Sequence, residues 1–281
     1  MQIFKIVNGQ RINMIFKDPI QFSGGERHVQ LPEDCLDDHD GEVYLTACVR
    51  SPEAFLDFCL IINAIWHLDD TVKVIAQVPY FPYARQDRVC AAGQAFSLEW
   101  AIASIYAGNP NISIITWDLH SDAMIDCFGK NVSQGRILFT PSKLKTTLRS
   151  SDPVLVQPDR GAHGRCLELW KTGWFSGIAV GDKVRDPKTG WITEYKLSGT
   201  DVKDRTCFIA DDICDGGMTF NLLSDQLKAA GAGKVILFVT HGIFSKGLDG
   251  LSRSIDEVYT TNSLPQKELS GDRIINYDYF G

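Results

Sequence analysis

The feature that most limits what this chain can become is an alternation of two hydrophobic periods. Apolar runs of strand length recur, and the stretches between them carry apolar residues at helical spacing, which is the pattern of a layered α/β fold. Residues 43–47 read as a strand, Phe55, Phe58, Cys59, Ile62 and Ile65 mark a helix, and residues 72–78 return to strand. Residues 96–106 follow as helix and residues 112–117 as strand, ending in the polar cluster Asp118, His120, Ser121 and Asp122. After the Thr-Pro-Ser turn at residues 140–142 the alternation begins again. Strands are expected at 154–156, 178–180, 208–210 and 235–240, with helices near 164–170 and around Phe220, Leu223 and Leu227. The expectation is two α/β domains, residues 1–145 and 146–281, each a mostly parallel sheet flanked by helices.

Composition removes several function classes. A chain that is 44% hydrophobic and 22% charged is neither collagenous nor disordered. Its 28 basic against 35 acidic residues leave a net charge of −7, which disfavours a nucleic-acid partner. No stretch approaches the roughly 20 apolar residues of a membrane helix, so no membrane partner is expected. The start MQIFKIVNGQ lacks the basic-then-apolar pattern of a secretion signal. The eight cysteines are scattered without C-x-x-C pairs or zinc spacing, so free thiols in a reducing cytoplasm are expected.

Ligands of open α/β sheets collect beyond the carboxyl ends of strands, which directs attention to the polar strings after each strand. The most informative is ADDICDGGMTF, residues 210–220. Asp211 and Asp212 at a strand end can accept hydrogen bonds from vicinal sugar hydroxyls, and Asp215, Gly216, Gly217, Met218 and Thr219 precede a helix whose free amides attract an anion. The same string would also serve as a turn with an Asp cap. The paired acids favour a sugar phosphate. Gly231-Ala232-Gly233-Lys234 imitates a phosphate loop, but Val235 stands where Ser or Thr is needed and the order is helix then strand; it reads as a turn.

The acid pair and D-G-G-M-T string resemble the ribose-phosphate loop shared by type I phosphoribosyltransferases and ribose-phosphate pyrophosphokinases (PRPP synthetases). Four further strings, VPYFPYARQDR at 78–88, WDLHSD at 117–122, QPDRG at 157–161 and THGIFS at 240–245, stand in the order found in the pyrophosphokinases, and FSGGE at 22–26 is similar to their adenine loop. The resemblance runs from about residue 20 to Leu264 and Pro265. It implies two phosphoribosyltransferase-like domains, ATP on the first and ribose phosphate on the second.

By the same resemblance, Phe22, Glu26, Arg85, Gln86, Asp87 and His120 contact ATP, and His120 and Asp159 are the candidates for coordinating the Mg²⁺ of Mg-ATP. Left to local pattern alone, Asp159 would cap the next helix and His120 would be a structural residue. Lys183 and Arg185, in the glycine- and proline-bearing segment 181–191, match the family's K-x-R catalytic loop. Preorganised cations there would neutralise charge gathering on the transferred diphosphate. The implied reaction moves the β,γ-diphosphate of ATP to the 1-hydroxyl of ribose 5-phosphate, giving PRPP and AMP. A cytoplasmic homo-oligomer, dimer or hexamer, is implied too, because the FSGGE loop completes a neighbouring subunit's adenine site in the family.

This sequence departs from the family at three places. Gly216 and Met218 stand where D-T-x-G-T is usual, so a hydroxyl is lost and an apolar side chain gained. Gly24 replaces a polar residue of the adenine loop. No counterpart of the family's last helix precedes Gly281, from which weak or absent inhibition by ADP is expected. The changed loop keeps a second acceptor open, a 5-substituted ribose such as ADP-ribose. A phosphoribosyltransferase and an inactive regulatory homologue are the remaining alternatives; YARQDR with the Lys183 and Arg185 loop speaks against the first, and retention of Lys183, Arg185 and His120 against the second.

Overall fold

Ser51 shows how local sequence sets an element in this chain. Its hydroxyl accepts a hydrogen bond from the Ala54 amide at 3.1 Å, and Pro52, whose ring fixes a helical φ, follows at once. Helix α1 (Pro52–Leu68) starts there and buries Phe55, Phe58, Ile61, Ile62 and Ile65 along one stripe. A fully buried side chain of this size stabilises the fold by roughly 1.5–3 kcal/mol, so the stripe decides which way the helix faces.

The structure is a computed structural model. It describes residues 1–135, 144, 146, 148, 149, 151–159, 161–185, 192–265 and 274–277, with backbone only at 183–185, 192–195 and 275–277. The turn at 140–142, Arg160 and the 186–191 part of the cationic segment lie outside the described residues. Two compact units, Met1–Arg136 and Ile137–Gly281, each carry their own sheet.

The first sheet contains β1 (Gln2–Val7), β2 (Gln10–Met14), β5 (Glu42–Thr46), β6 (Lys73–Gln77), β7 (Ile112–Trp117) and β8 (Val132–Gly135). Its order is β2-β1-β5-β6-β7-β8, parallel from β5 to β8 and antiparallel around β1. A separate small hairpin joins β3 (Ile20–Gln21) to β4 (Arg27–His28). The β1–β2 hairpin was not foreseen, although its turn is the dipeptide Asn8-Gly9. Both residues have positive φ, 50° and 74°, as a two-residue turn matched to strand twist requires. Helices α1, α2 (Ser97–Gly108) and α3 (Ala123–Phe128) supply the remaining core, α2 burying Leu98, Ala101, Ile102 and Ile105.

The second sheet runs β11-β10-β9-β12-β13-β14-β15 and is parallel except at the β10–β11 edge. Its strands are β9 (Val154–Gln157), β10 (Gly177–Arg185), β11 (Ile192–Gly199), β12 (Thr206–Cys214), β13 (Lys234–Gly242), β14 (Glu257–Thr261) and β15 (Ile274–Tyr277). Central strands here read as continuous apolar runs because both faces are covered; every residue of β9 is buried. Helices α4 (His163–Trp170) and α5 (Met218–Ala229) belong to this unit, α5 packing Phe220, Leu223 and Leu227 inward. Residues 230–233 form the turn into β13, with Gly231 at φ 89°.

Two elements are longer than local pattern suggests. Strand β10 continues to Arg185, so Lys183 and Arg185 lie on a paired strand, opposite Tyr195 and Ile192, and not in a free loop. Strand β12 continues to Cys214, which puts Asp211 and Asp212 inside it. Among the described residues no helix is long and apolar enough to cross a membrane, and none of the eight cysteines forms a disulfide.

Candidate functional site

Strands β6 and β7 are neighbours, so the strings that follow them emerge side by side. Their backbones stay joined beyond the sheet: Val78 donates to the Ile115 carbonyl at 2.8 Å and Trp117 to the Pro79 carbonyl at 3.3 Å. Asp118 then turns the chain sharply, with φ 44°, its amide donating to Gly135 at 2.8 Å. The outcome is that Asp87 and His120, 33 residues apart by number, share one electrostatic neighbourhood. Asp87 is buried and takes two hydrogen bonds from Arg88, Nε to Oδ1 and Nη2 to Oδ2, each 2.8 Å. Those bonds, with Ser121 and His120 beside them, hold its carboxyl down at about 2. Arg85, Gln86, Arg88 and His120 are exposed around it. Asp87 is thus the buried, doubly bonded member of a group whose other side chains are exposed.

Phe22 and Glu26 sit on the β3–β4 hairpin, where Phe22 donates to the Glu26 carbonyl and Gly25 to the Phe22 carbonyl, both at 2.9 Å. Phe22 is 54% exposed, a large apolar ring presented to solvent. The hairpin is anchored to α1: Arg27 donates Nε to Asp57 Oδ1 at 2.8 Å and Nη2 to Oδ2.

In the second unit the candidate groups follow β9 and β12, which are paired. Asp159 behaves locally as a turn residue: its Oδ1 accepts the Ala162 amide at 3.2 Å and its carbonyl accepts Gln157 Nε2 at 2.9 Å, fixing the approach to α4. Asp212 is buried and Asp211 partly so, the Asp212 amide donating to Asp211 Oδ1 at 3.0 Å. Burial pushes the Asp211 carboxyl well above the usual carboxylate range, the adjacent Asp212 charge adds to this, and the Arg165 guanidinium on α4 opposes it. Cys166 and Cys214 flank the pair. Burial, reinforced by the Asp211 charge, pushes both thiols up to about 12, so they remain protonated and unreactive.

Gly217 caps α5 in the left-handed region at φ 75°, and a side chain there would meet Leu251 Cδ2 at 2.4 Å. Residues 243–252 wrap this turn. Ile243 and Phe244 both donate to the Cys214 carbonyl, at 2.9 and 3.0 Å. Asn221 on α5 donates Nδ2 to the Gly250 carbonyl and accepts the Ser252 amide at Oδ1, each 2.7 Å. The 215–219 loop is therefore held on one side by the 243–252 segment and leads directly into the start of α5. Met218 is 45% exposed at its edge.

A donor set for Mg²⁺ can be judged from these groups. Among the described residues no three His, Cys, Asp or Glu side chains are gathered as a metal site. Asp159, whose Oδ1 accepts the Ala162 amide, brings a carboxylate, the donor type suited to an ion that keeps waters and substrate phosphates as ligands. The side chains of Lys183 and Arg185 lie outside what the structure describes.

Comparison with known proteins places the chain. A family model described as the phosphoribosyl synthetase-associated domain matches residues 195–277. The ribose-phosphate pyrophosphokinase of Haemophilus influenzae is 29% identical over 255 residues, covering 88% of this chain and 78% of that protein. That of Shewanella oneidensis is 29% identical over 249 residues, covering 87% and 77%. Over most of its length the chain is similar to the ribose-phosphate pyrophosphokinases. The crystal structure of phosphoribosylpyrophosphate synthetase from Mycobacterium smegmatis has the same fold, with a TM-score of 0.76 at 22% identity over 93% of this chain and 85% of that one.

Three features around these groups are not visible in the sequence alone. Arg165 faces the acid pair from another element, and only the packing of α4 beside β12 reveals it. Arg88, read as the end of YARQDR, proves to be the partner of Asp87. Lys246 follows THGIFS directly, yet nothing in its local sequence says that it lies over Gly216, where a side chain built on the glycine would meet Lys246 Cε at 3.5 Å.

Proposed function

We propose that the chain transfers the β,γ-diphosphate of Mg-ATP to the anomeric hydroxyl of ribose 5-phosphate, forming PRPP and AMP. The observation that carries this reading is the β12–α5 connection. It presents an acid pair, Asp212 buried and Asp211 partly so, and, within a few residues, a glycine-bent helix start, and vicinal hydroxyls and a phosphate on one small sugar need that combination. Asp211 and Asp212 would accept the ribose hydroxyls, and the amides of Asp215, Gly216, Gly217, Met218 and Thr219 would take the phosphate.

On the first unit, Arg85 and Gln86 would hold the nucleotide, Asp87 positioning their loop through Arg88, while His120 meets the phosphates and Phe22 and Glu26 meet adenine. His120 and Asp159 would hold Mg²⁺, which supplies charge neutralisation on the phosphate oxygens when bound. The 1-hydroxyl of the sugar attacks the β-phosphorus in line, the bond from that phosphorus to the α-phosphate oxygen breaks, and AMP leaves. Lys183 and Arg185 would stabilise the charge developing on the moving diphosphate. The enzyme would work in the cytoplasm as a homo-oligomer, at least a dimer, which sedimentation of the active species checks. The deciding experiment measures AMP released from Mg-ATP in the presence of ribose 5-phosphate; no release with any pentose phosphate would sink the reading.

A second acceptor is favoured by one observation. Gly216 adds no side chain to the cradle and Met218 stands exposed at its edge, so a ribose carrying more than a simple phosphate, such as ADP-ribose, would find room. The same assay with ADP-ribose separates the two. A large preference for ribose 5-phosphate removes the second reading, and the reverse preference replaces the first.

A further inference from the structure

We infer that Lys246 is a specificity-determining residue of the acceptor site, reading the phosphate ester carried on C5 of the sugar. The inference rests on the acceptor reading above. A side chain built on Gly216 would meet Lys246 Cε at 3.5 Å and Cδ at 3.7 Å, so the lysine methylenes border the space that Gly216 leaves open in the cradle. The ammonium is one bond beyond Cε. It therefore stands near the loop whose amides would take the phosphate, at Gly216, while the next residue, Gly217, packs against Leu251.

The placement is fixed by structure on both sides of the lysine. Upstream, Ile243 and Phe244 are tied to the Cys214 carbonyl, the residue just before the loop. Downstream, Gly247 donates to the Phe244 carbonyl at 2.8 Å, and Asn221 holds Gly250 and Ser252 against α5. Lys246 pairs with no acidic side chain among the described residues, so its charge is not already used. A lysine ammonium is a compact cation with three donors on a flexible stem, suited to a phosphate whose oxygens already receive backbone amides. It supplies from a neighbouring segment the donor that Gly216 cannot.

The test compares wild type with Lys246→Ala and Lys246→Arg, using ribose 5-phosphate, ADP-ribose and unphosphorylated ribose as acceptors in the AMP-release assay. Lys246→Ala is expected to raise the KM for both phosphorylated acceptors about tenfold, leaving kcat and the KM for Mg-ATP within about twofold. Lys246→Arg should keep most of the affinity, and any turnover with plain ribose should be equal in wild type and variant. The ratio of effects on ribose 5-phosphate and ADP-ribose tells which of the two the lysine serves. An unchanged acceptor KM in a wild type that does release AMP overturns the inference and leaves the proposed function standing. If wild type releases no AMP with any acceptor, calorimetry with ribose 5-phosphate decides: weaker binding by Lys246→Ala supports the role, whereas equal or undetectable binding by both proteins overturns it.

Discussion

Arg27 and Asp57 meet through two parallel hydrogen bonds, Nε to Oδ1 and Nη2 to Oδ2, with the Asp57 side chain only 10% exposed. This fork joins the hairpin bearing Phe22 and Glu26 to helix α1, and the Asp57 bond raises the Arg27 pKa further above its ordinary value. Replacing Asp57 with Ala should free the hairpin. Limited trypsin digestion should then cut after Arg27 severalfold faster, and the KM for ATP should rise, while Asp57→Glu recovers part of both. Equal digestion rates would show that the fork does not hold the hairpin.

A second prediction concerns pH. The Asp87 carboxyl titrates at about 2 in the folded chain, mainly through its bonds to Arg88, against about 4 in an unfolded one. A depressed carboxylate stabilises the fold above its unfolded pKa, and that contribution is lost as pH falls through about 4 towards 2. The difference in melting temperature between wild type and Asp87→Asn should thus be largest at neutral pH and shrink below about pH 4. A constant difference from pH 7 to pH 3 would contradict the assignment.

Asp211 has the opposite sign. Its raised pKa means that the folded chain keeps a proton which the unfolded chain releases near pH 4, so this residue lowers stability progressively as pH rises above that value. Asp211→Asn should melt higher than wild type at pH 7, with the gap closing towards pH 4, and should bind the acceptor at least about tenfold more weakly. A lower melting temperature at pH 7 would mean that the pair is not held at the expense of stability.

Gly217 and its neighbour Gly216 separate backbone strain from ligand contact. Gly217→Ala must adopt φ 75° and bring a methyl to 2.4 Å from Leu251 Cδ2, at a cost of at least about 2 kcal/mol. Gly216→Ala meets nothing closer than 3.5 Å and should leave the urea midpoint unchanged. Similar losses in both variants would refute this account of the turn.

For Lys183 and Arg185, replacement by Ala should lower turnover at least about a hundredfold with little change in either KM, the signature of stabilisation confined to the transition state. A rise in KM at unchanged turnover would instead make them ground-state contacts.

The candidate site was legible as a set of motifs. The strings at 78–88, 117–122, 157–161 and 210–220 carry residue types suited to anion and sugar recognition, and their joint order, not any one string, carries the resemblance that proposes roles for them. What stayed hidden was set by pairing. The length of β10 could not be read because it depends on β11, which extends the ladder past Gly181 to Arg185. Likewise β13 continues opposite β12 as far as Gly242, which draws Asp211 and Asp212 into the sheet. The β1–β2 hairpin carried its Asn8-Gly9 turn in plain view, but β2 is mostly exposed and so shows no apolar alternation.

The order of strands and helices, the absence of a long apolar span and the residue types available for chemistry are properties of the sequence, since hydrophobic period and local turn chemistry act over a few residues. Which of those residues meet is not local. The electrostatic pairing of Asp87 with His120 and of Asp211 with Arg165, and the approach of Lys246 to Gly216, arise when segments distant in number are brought together by neighbouring strands, and only burial of the completed sheets holds them there.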